Sequence, residues 1–131
     1  TTLAQLFLRG CQDPNPDVAS SAMSATAAYI DALGDDPIVL ELKVVLTPMF
    51  AVMQACLERH DEAVVLEGLE VIQECVSMDQ PLINDHLPSL VPFVFHIIQF
   101  PDIEESLAQA AGHTLLNILE YRPKLVAKQQ L

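Results

Sequence analysis

The stretch Leu46 to Cys75, LTPMFAVMQACLERHDEAVVLEGLEVIQEC, returns 44 residues later as Leu90 to Leu119, LVPFVFHIIQFPDIEESLAQAAGHTLLNIL. Pro48 matches Pro92 and Gly68 matches Gly112. Around these anchors Leu46 falls on Leu90, Asp61 on Glu105, Val71 and Ile72 on Leu115 and Leu116, and Cys75 on Leu119. A shift of 46 adds a third copy, with Val18 on Val64, Ala22 on Gly68 and Tyr29 on Cys75, the two-residue difference being absorbed after Leu33. Self-similarity at a period in the 40s is the length of a HEAT-type helical hairpin, in which each copy is helix, short turn, helix. The expected fold is all-α: an α-α superhelix of about three stacked hairpins, at 1–33, 37–77 and 84–121, with a fourth starting from 123.

Local signals place the helices at about 2–11, 16–33, 37–58, 62–77, 84–99, 102–121 and 123–131. Asn15-Pro16 and Asp36-Pro37 put a capping side chain before a proline at the first helical position, where no N–H is needed. Asp102 followed by Glu105 has the spacing of a capping box. Gly34 follows an apolar helix end and suits a left-handed cap. Pro48, Pro88 and Pro92 fall inside predicted first helices, so each is kinked or begins later than drawn. The central glycines Gly68 and Gly112 are expected to let neighbouring helices approach closely.

The 131 residues are 51% hydrophobic, rich in Ala, Leu, Val and Ile and without Trp, which suits helix-on-helix packing. The two most apolar runs, Val44 to Leu57 and Leu87 to Ile98, are shorter than the roughly 18 residues of a membrane span and broken by Pro48, Gln54, Pro88, Pro92 and His96. They read as core, and no membrane insertion is expected. The N-terminus has no basic region leading into an apolar stretch and no initiating Met, so no secretory signal is expected, and the chain reads as a segment trimmed from a larger solenoid. Apolar ends at Leu3, Leu6, Phe7, Leu125 and Leu131 should then meet neighbouring repeats, and make the isolated segment self-associate.

Six Lys and Arg against 18 Asp and Glu give a net charge of −12, which repels nucleic-acid phosphates and attracts basic partners. Cys11, Cys56 and Cys75 are odd in number, form no CxxC pair and sit among apolar neighbours, which argues for a reducing setting. Asp13, Asn15 and Asp17 open like a calcium loop, but Val18 and Ser24 stand where glycine and a bidentate glutamate are required, leaving a capping turn. Cys56 and His60 with Asp61 fall short of a tetrahedral metal set. No group activates a thiol and four isolated glycines build no phosphate loop, so no catalytic residue, metal or cofactor is expected.

The informative cluster is acidic. At about 100° per residue, Glu67, Glu70 and Glu74 share an arc opposite the stripe of Val65, Leu69, Ile72 and Val76, and Ser21 and Ser24 occupy the matching arc one repeat earlier. These residues, with Asn117, are the candidate partner-binding face. Either they are solvated surface or they recruit basic segments, which would offset the cost of like charges at this spacing. In the third copy Gln109, His113, Asn117 and Glu120 form a polar face rotated from the 44-residue register, with Ala111 and Ile118 in the places of Glu67 and Glu74.

Glu67 to Cys75 (EGLEVIQEC), Pro81-Leu82-Ile83, His86 to Val91 (HLPSLV) and Leu115 to Leu125 (LLNILEYRPKL) resemble the amino-terminal half of importin-β-like nuclear transport receptors, over roughly Asp13 to Leu131. The resemblance implies a receptor present in cytoplasm and nucleus. Its second helices would face a basic cargo protein or nuclear localisation signal and the Ran GTPase, and its first helices Phe-Gly nucleoporins. Val64 to Val76 departs from it in carrying no basic residue. The competing expectation is a HEAT-repeat scaffold or adaptor of a multi-protein complex unrelated to transport; a helical-bundle enzyme ranks below both because no catalytic set converges.

Overall fold

The computed structural model describes residues 2–78 and 82–124. It is all-α, with no strand among the described residues: α1 (Thr2–Cys11), α2 (Pro16–Leu33), α3 (Lys43–Glu58), α4 (Glu62–Ser77), α5 (Leu87–Gln99) and α6 (Glu105–Tyr121). Short 3-10 turns, Pro37–Leu42 and Asn84–His86, lead into α3 and α5. The predicted ninth-decade helix therefore starts three residues late, which puts Pro88 in its first turn, where a proline costs nothing. Only Pro123 and Lys124 of the predicted last helix lie within the described residues, and both are helical. Leu125 and Leu131 lie outside them.

Pro48 and Pro92 remain inside helices. Each falls early in its helix and deprives the carbonyl four residues back of its N–H partner. Those carbonyls belong to Val44 and Pro88, both exposed residues, so water can take the place of the missing donor. Caps behave as their side chains dictate. Asn15 Oδ1 accepts the Asp17 N–H at 2.9 Å and Asp36 Oδ1 the Ile38 N–H at 3.0 Å. Asp13 Oδ1 accepts the Asn15 N–H at 2.9 Å, which makes the 13–17 turn a capping turn. Gly34 ends α2 with φ 58°.

The predicted Asp102–Glu105 capping box does not form. Asp102 takes φ 62° in the turn, and the residue before α6 is Glu104, whose N–H is received at 2.8 Å by Glu62 Oε1 from the preceding repeat. His60 takes the same φ of 62° in the turn between α3 and α4.

Helices pair as α1/α2, α3/α4 and α5/α6, and the second helices α2, α4 and α6 stack side by side as the most closely packed layer. In the first-helix layer α1 lies along α3, whereas α3 and α5 part around a groove of about 490 Å³. Phe50, Leu90, Pro92 and Phe93 wall it, and ring contacts of Phe50 with His86 and of His60 with Phe100 bridge it. Pro37–Glu58, continuous through its 3-10 turn, has the length and hydropathy of a membrane span, longer than the sequence run suggested. Val45, Leu46, Met49, Met53, Cys56 and Leu57 of that segment are fully buried core, in a helix that packs on α1 and α4.

Close approach explains two glycines and removes a third. A Cβ on Gly10 would lie 2.6 Å from Ala22 Cβ, and one on Gly68 would run into Met53 of α3. Gly112 has nothing within 4 Å, against expectation. The reason is register: α4 and α6 start at Glu62 and Glu105, so second helices correspond at 43 residues rather than 44. A one-residue slip turns a helix by about 100°. Ala111, fully buried, takes the place of Gly68, and Gly112 turns outward. The slip also brings His113, Asn117 and Glu120 onto the places of Glu70, Glu74 and Ser77, which accounts for the rotated polar face of the third copy.

Candidate functional site

The outward stripe of the second-helix layer is the candidate site. On α4 the side opposite the arc is fully buried, with Val65, Leu69, Ile72 and Val76 at 0% exposure. That burial fixes the roll of the helix and leaves Glu67, Glu70 and Glu74 on the outer side. Glu70, Gln73 and Glu74 of α4 and Ser24, Ala27, Ala28 and Asp31 of α2 line a groove of about 430 Å³. Asp31 was not among the expected residues. It lies seven positions after Ser24, two helical turns along the same arc, and that spacing was the available signal.

The carboxylates are crowded. Burial, then the charge of Asp31 and a hydrogen bond with it, then the charge of Glu70, push the Glu74 carboxyl above the usual carboxylate range. Burial, then the charge of Glu70 and a hydrogen bond with it, do the same to Glu67. Glu67 Oε2 is buried and has no hydrogen-bond partner among the described residues. No lysine or arginine occurs anywhere on α2, α4 or α6, which together carry eight Asp and Glu. The layer thus holds uncompensated negative charge beside Ala27 and Ala28.

Ser21 is exposed one turn before Ser24 and does not line the groove. Asn117, half-buried on α6, also lies beyond it. Between them Gln73 Nε2 donates to Thr114 Oγ1 at 3.0 Å, and Thr114 Oγ1 donates to the Ala110 carbonyl at 2.8 Å, tying α4 to α6 under the polar arc. At the end of the layer, Arg122 donates from Nε to Asn84 Oδ1 at 2.9 Å and from Nη2 to the Met78 carbonyl, so it clamps the end of α6 to the end of α4.

The thiols are structural. Burial raises Cys11 to about 11 and Cys75 to about 12, and Cys56 Sγ accepts from Arg59 Nη2 at 3.3 Å. Among the described residues no three His, Cys, Asp or Glu side chains converge as a metal set.

This geometry defines a helical-repeat protein of the scaffold class. Residues 1–93 match the model of the family described as IPO5-like, TPR repeats, and the chain belongs to that family. It is an importin-β-like repeat segment. The family's description calls its repeats TPR; the spacing of 43 to 46 residues here is that of HEAT hairpins, a TPR unit being about 34. Comparison with curated proteins and with solved structures gives no match.

Proposed function

We propose that the second-helix face of this chain holds lysine- and arginine-rich segments of protein cargo, as part of a nuclear transport receptor moving between cytoplasm and nucleus, and that it acts by binding rather than catalysis. The observation that carries this reading is the groove of Asp31, Glu70 and Glu74 in a layer without a single cation. Family membership supports it. A lysine or arginine entering the groove would lay its aliphatic stem on Ala27 and Ala28 while its charge meets the carboxylates. Ser21, Ser24 and Asn117 extend the same face with neutral hydrogen-bonding groups, and Ran would be met on this layer.

Exposed ion pairs contribute only about 0–1 kcal/mol each, so the arc governs association rate and salt dependence more than ultimate affinity. The test is calorimetry of a lysine- and arginine-rich peptide on the parent and on the triple variant Glu67→Gln, Glu70→Gln, Glu74→Gln. The variant should bind more weakly, with the deficit larger at low salt than at high. Equal affinities at low salt would reduce the arc to ordinary solvated surface.

On the outer layer, the α3–α5 groove walled by Phe50, Leu90, Pro92 and Phe93 has the size and apolar lining to take one phenylalanine ring, which supports contact with Phe-Gly nucleoporin segments there. A Phe-Gly peptide should shift the resonances of these residues, and a Ser-Gly peptide should not.

A further inference from the structure

Three of the chain's four histidines lie at the joint between α3 and α5, and each is in ring contact with a phenylalanine. At the start of α5, His86 meets Phe50 of α3 in a T-shaped contact, with centroids 5.1 Å apart. At the other ends of these helices, His60 and His96 both meet Phe100, at 5.6 and 5.5 Å. The surroundings differ. His60 and His96 are exposed, and His60 shares a recess with Glu62 and Glu104, so a proton gained there meets water and carboxylates. His86 is half-buried, next to the buried Leu87. Burial lowers its pKa from 6.5; the charge of Asp85 on its own turn pulls the other way, and that of Lys43 at the start of α3 adds to burial. Arg122, the cation on the α6 side of the turn, is engaged by Asn84 Oδ1 and the Met78 carbonyl.

The backbone of this turn is tied down, because the His86 N–H donates to the Ile83 carbonyl at 2.9 Å and Arg122 Nε to Asn84 Oδ1 at 2.9 Å. The imidazole is the part free to move. Phe50 lines the α3–α5 groove, and His86 reaches the groove only through Phe50. We propose that His86 is a proton-operated latch on this groove: neutral, its ring holds Phe50 in the groove wall, and protonated, it swings out to water and releases Phe50. The released ring titrates like any exposed imidazole, near 6.5, and the latched ring lower. The released fraction therefore rises as pH falls through 6.5 and levels off below the latched value. The latch belongs to the groove itself and stands whether or not a phenylalanine ligand enters it.

Proton NMR on the whole chain, with no ligand added, tests this in the His96→Gln variant, which removes the titratable group of the groove lining. Nuclear Overhauser contacts between the rings of His86 and Phe50 should be present at about pH 8 and lost by about pH 5, with a midpoint below 6.5 that coincides with the titration of His86 itself. The contacts of His60 with Phe100 should persist over the same range, which separates release from unfolding. In the double variant His86→Phe, His96→Gln the resonances of Ser89, Leu90 and Phe93 should stand still, whereas in His96→Gln they move. A Phe50 contact that survives or tightens in acid, as attraction between an imidazolium and the ring face would make it, overturns the proposal. So does a His86 that titrates at or above 6.5, a loss of both ring contacts at one midpoint, or groove resonances that still move in the double variant.

Discussion

Gly10 and Gly112 should answer the same substitution with opposite signs. An alanine at Gly10 brings its Cβ to 2.6 Å from Ala22 Cβ, a contact no rotamer can relieve, so α1 and α2 must separate. Overpacking of this kind costs about 1–3 kcal/mol, less up to about 1 kcal/mol for the better helix propensity of alanine. Gly112→Ala meets nothing and should stabilise by roughly 0.5–1 kcal/mol. Urea denaturation of the two variants measures both signs, and a destabilised Gly112→Ala would put the 43-residue register in error.

The acids make a second prediction at this scale. Glu67 and Glu74 titrate above the usual carboxylate range when folded, so over the window just above the ordinary glutamate value of 4.5 the native state holds more protons than the unfolded chain. Their contribution to stability therefore grows as pH falls from neutrality into that window and weakens again as pH rises through the folded values. His86 works the other way: burial lowers its pKa, and below 6.5 the unfolded chain binds the proton more readily. Glu74→Gln should flatten the rise in melting temperature between neutral and mildly acid pH. A basic peptide should release protons on binding in that window, readable as a dependence of calorimetric heat on buffer ionisation.

Between elements, Glu62 is the residue to change. It reaches from the start of α4 to the Glu104 N–H at the start of α6, so Glu62→Ala should remove a cap worth about 0.5–2 kcal/mol and speed hydrogen exchange in the first turn of α6, leaving α4 itself nearly unchanged. Exchange faster in α4 than in α6 would contradict this. The same contact shows where sequence reading stopped. Helices, proline starts, the Asn15 and Asp36 caps and the Glu67, Glu70 and Glu74 arc were legible because each depends on residues within one or two turns. Asp31 escaped because its partner is on another helix, and the angle between α2 and α4 is not written in either. Gly112 was misplaced because matching residues by identity cannot see that α5 and its following turn together are one residue shorter than α3 and its turn, and a single residue rotates the whole helix face.

Across the whole molecule, protection should follow burial. α4 has eight buried residues and neighbours on three sides, whereas burial in α1 is confined to Ala4 and Cys11 among its apolar residues. In a stacked array, opening free energies fall toward the ends, so exchange should be slowest in α3 and α4 and fastest in α1. Uniform exchange rates across all six helices would instead mean one indivisible cooperative unit.

The parting of α3 from α5 beside an unbroken α2, α4 and α6 layer gives the array the mechanics of a book held by its spine. Bending at the α3–α5 joint about the tight layer meets only the Phe50–His86 and His60–Phe100 ring contacts named above; shearing it would break the Gln73–Thr114 and Arg122–Met78 ties. Whatever enters the outer groove therefore works as a wedge, prying the covers wider and deepening the curve on the acidic side. A Phe-Gly peptide in the outer groove should in this way change the affinity of the acidic face for a basic peptide, which calorimetry with and without it would read.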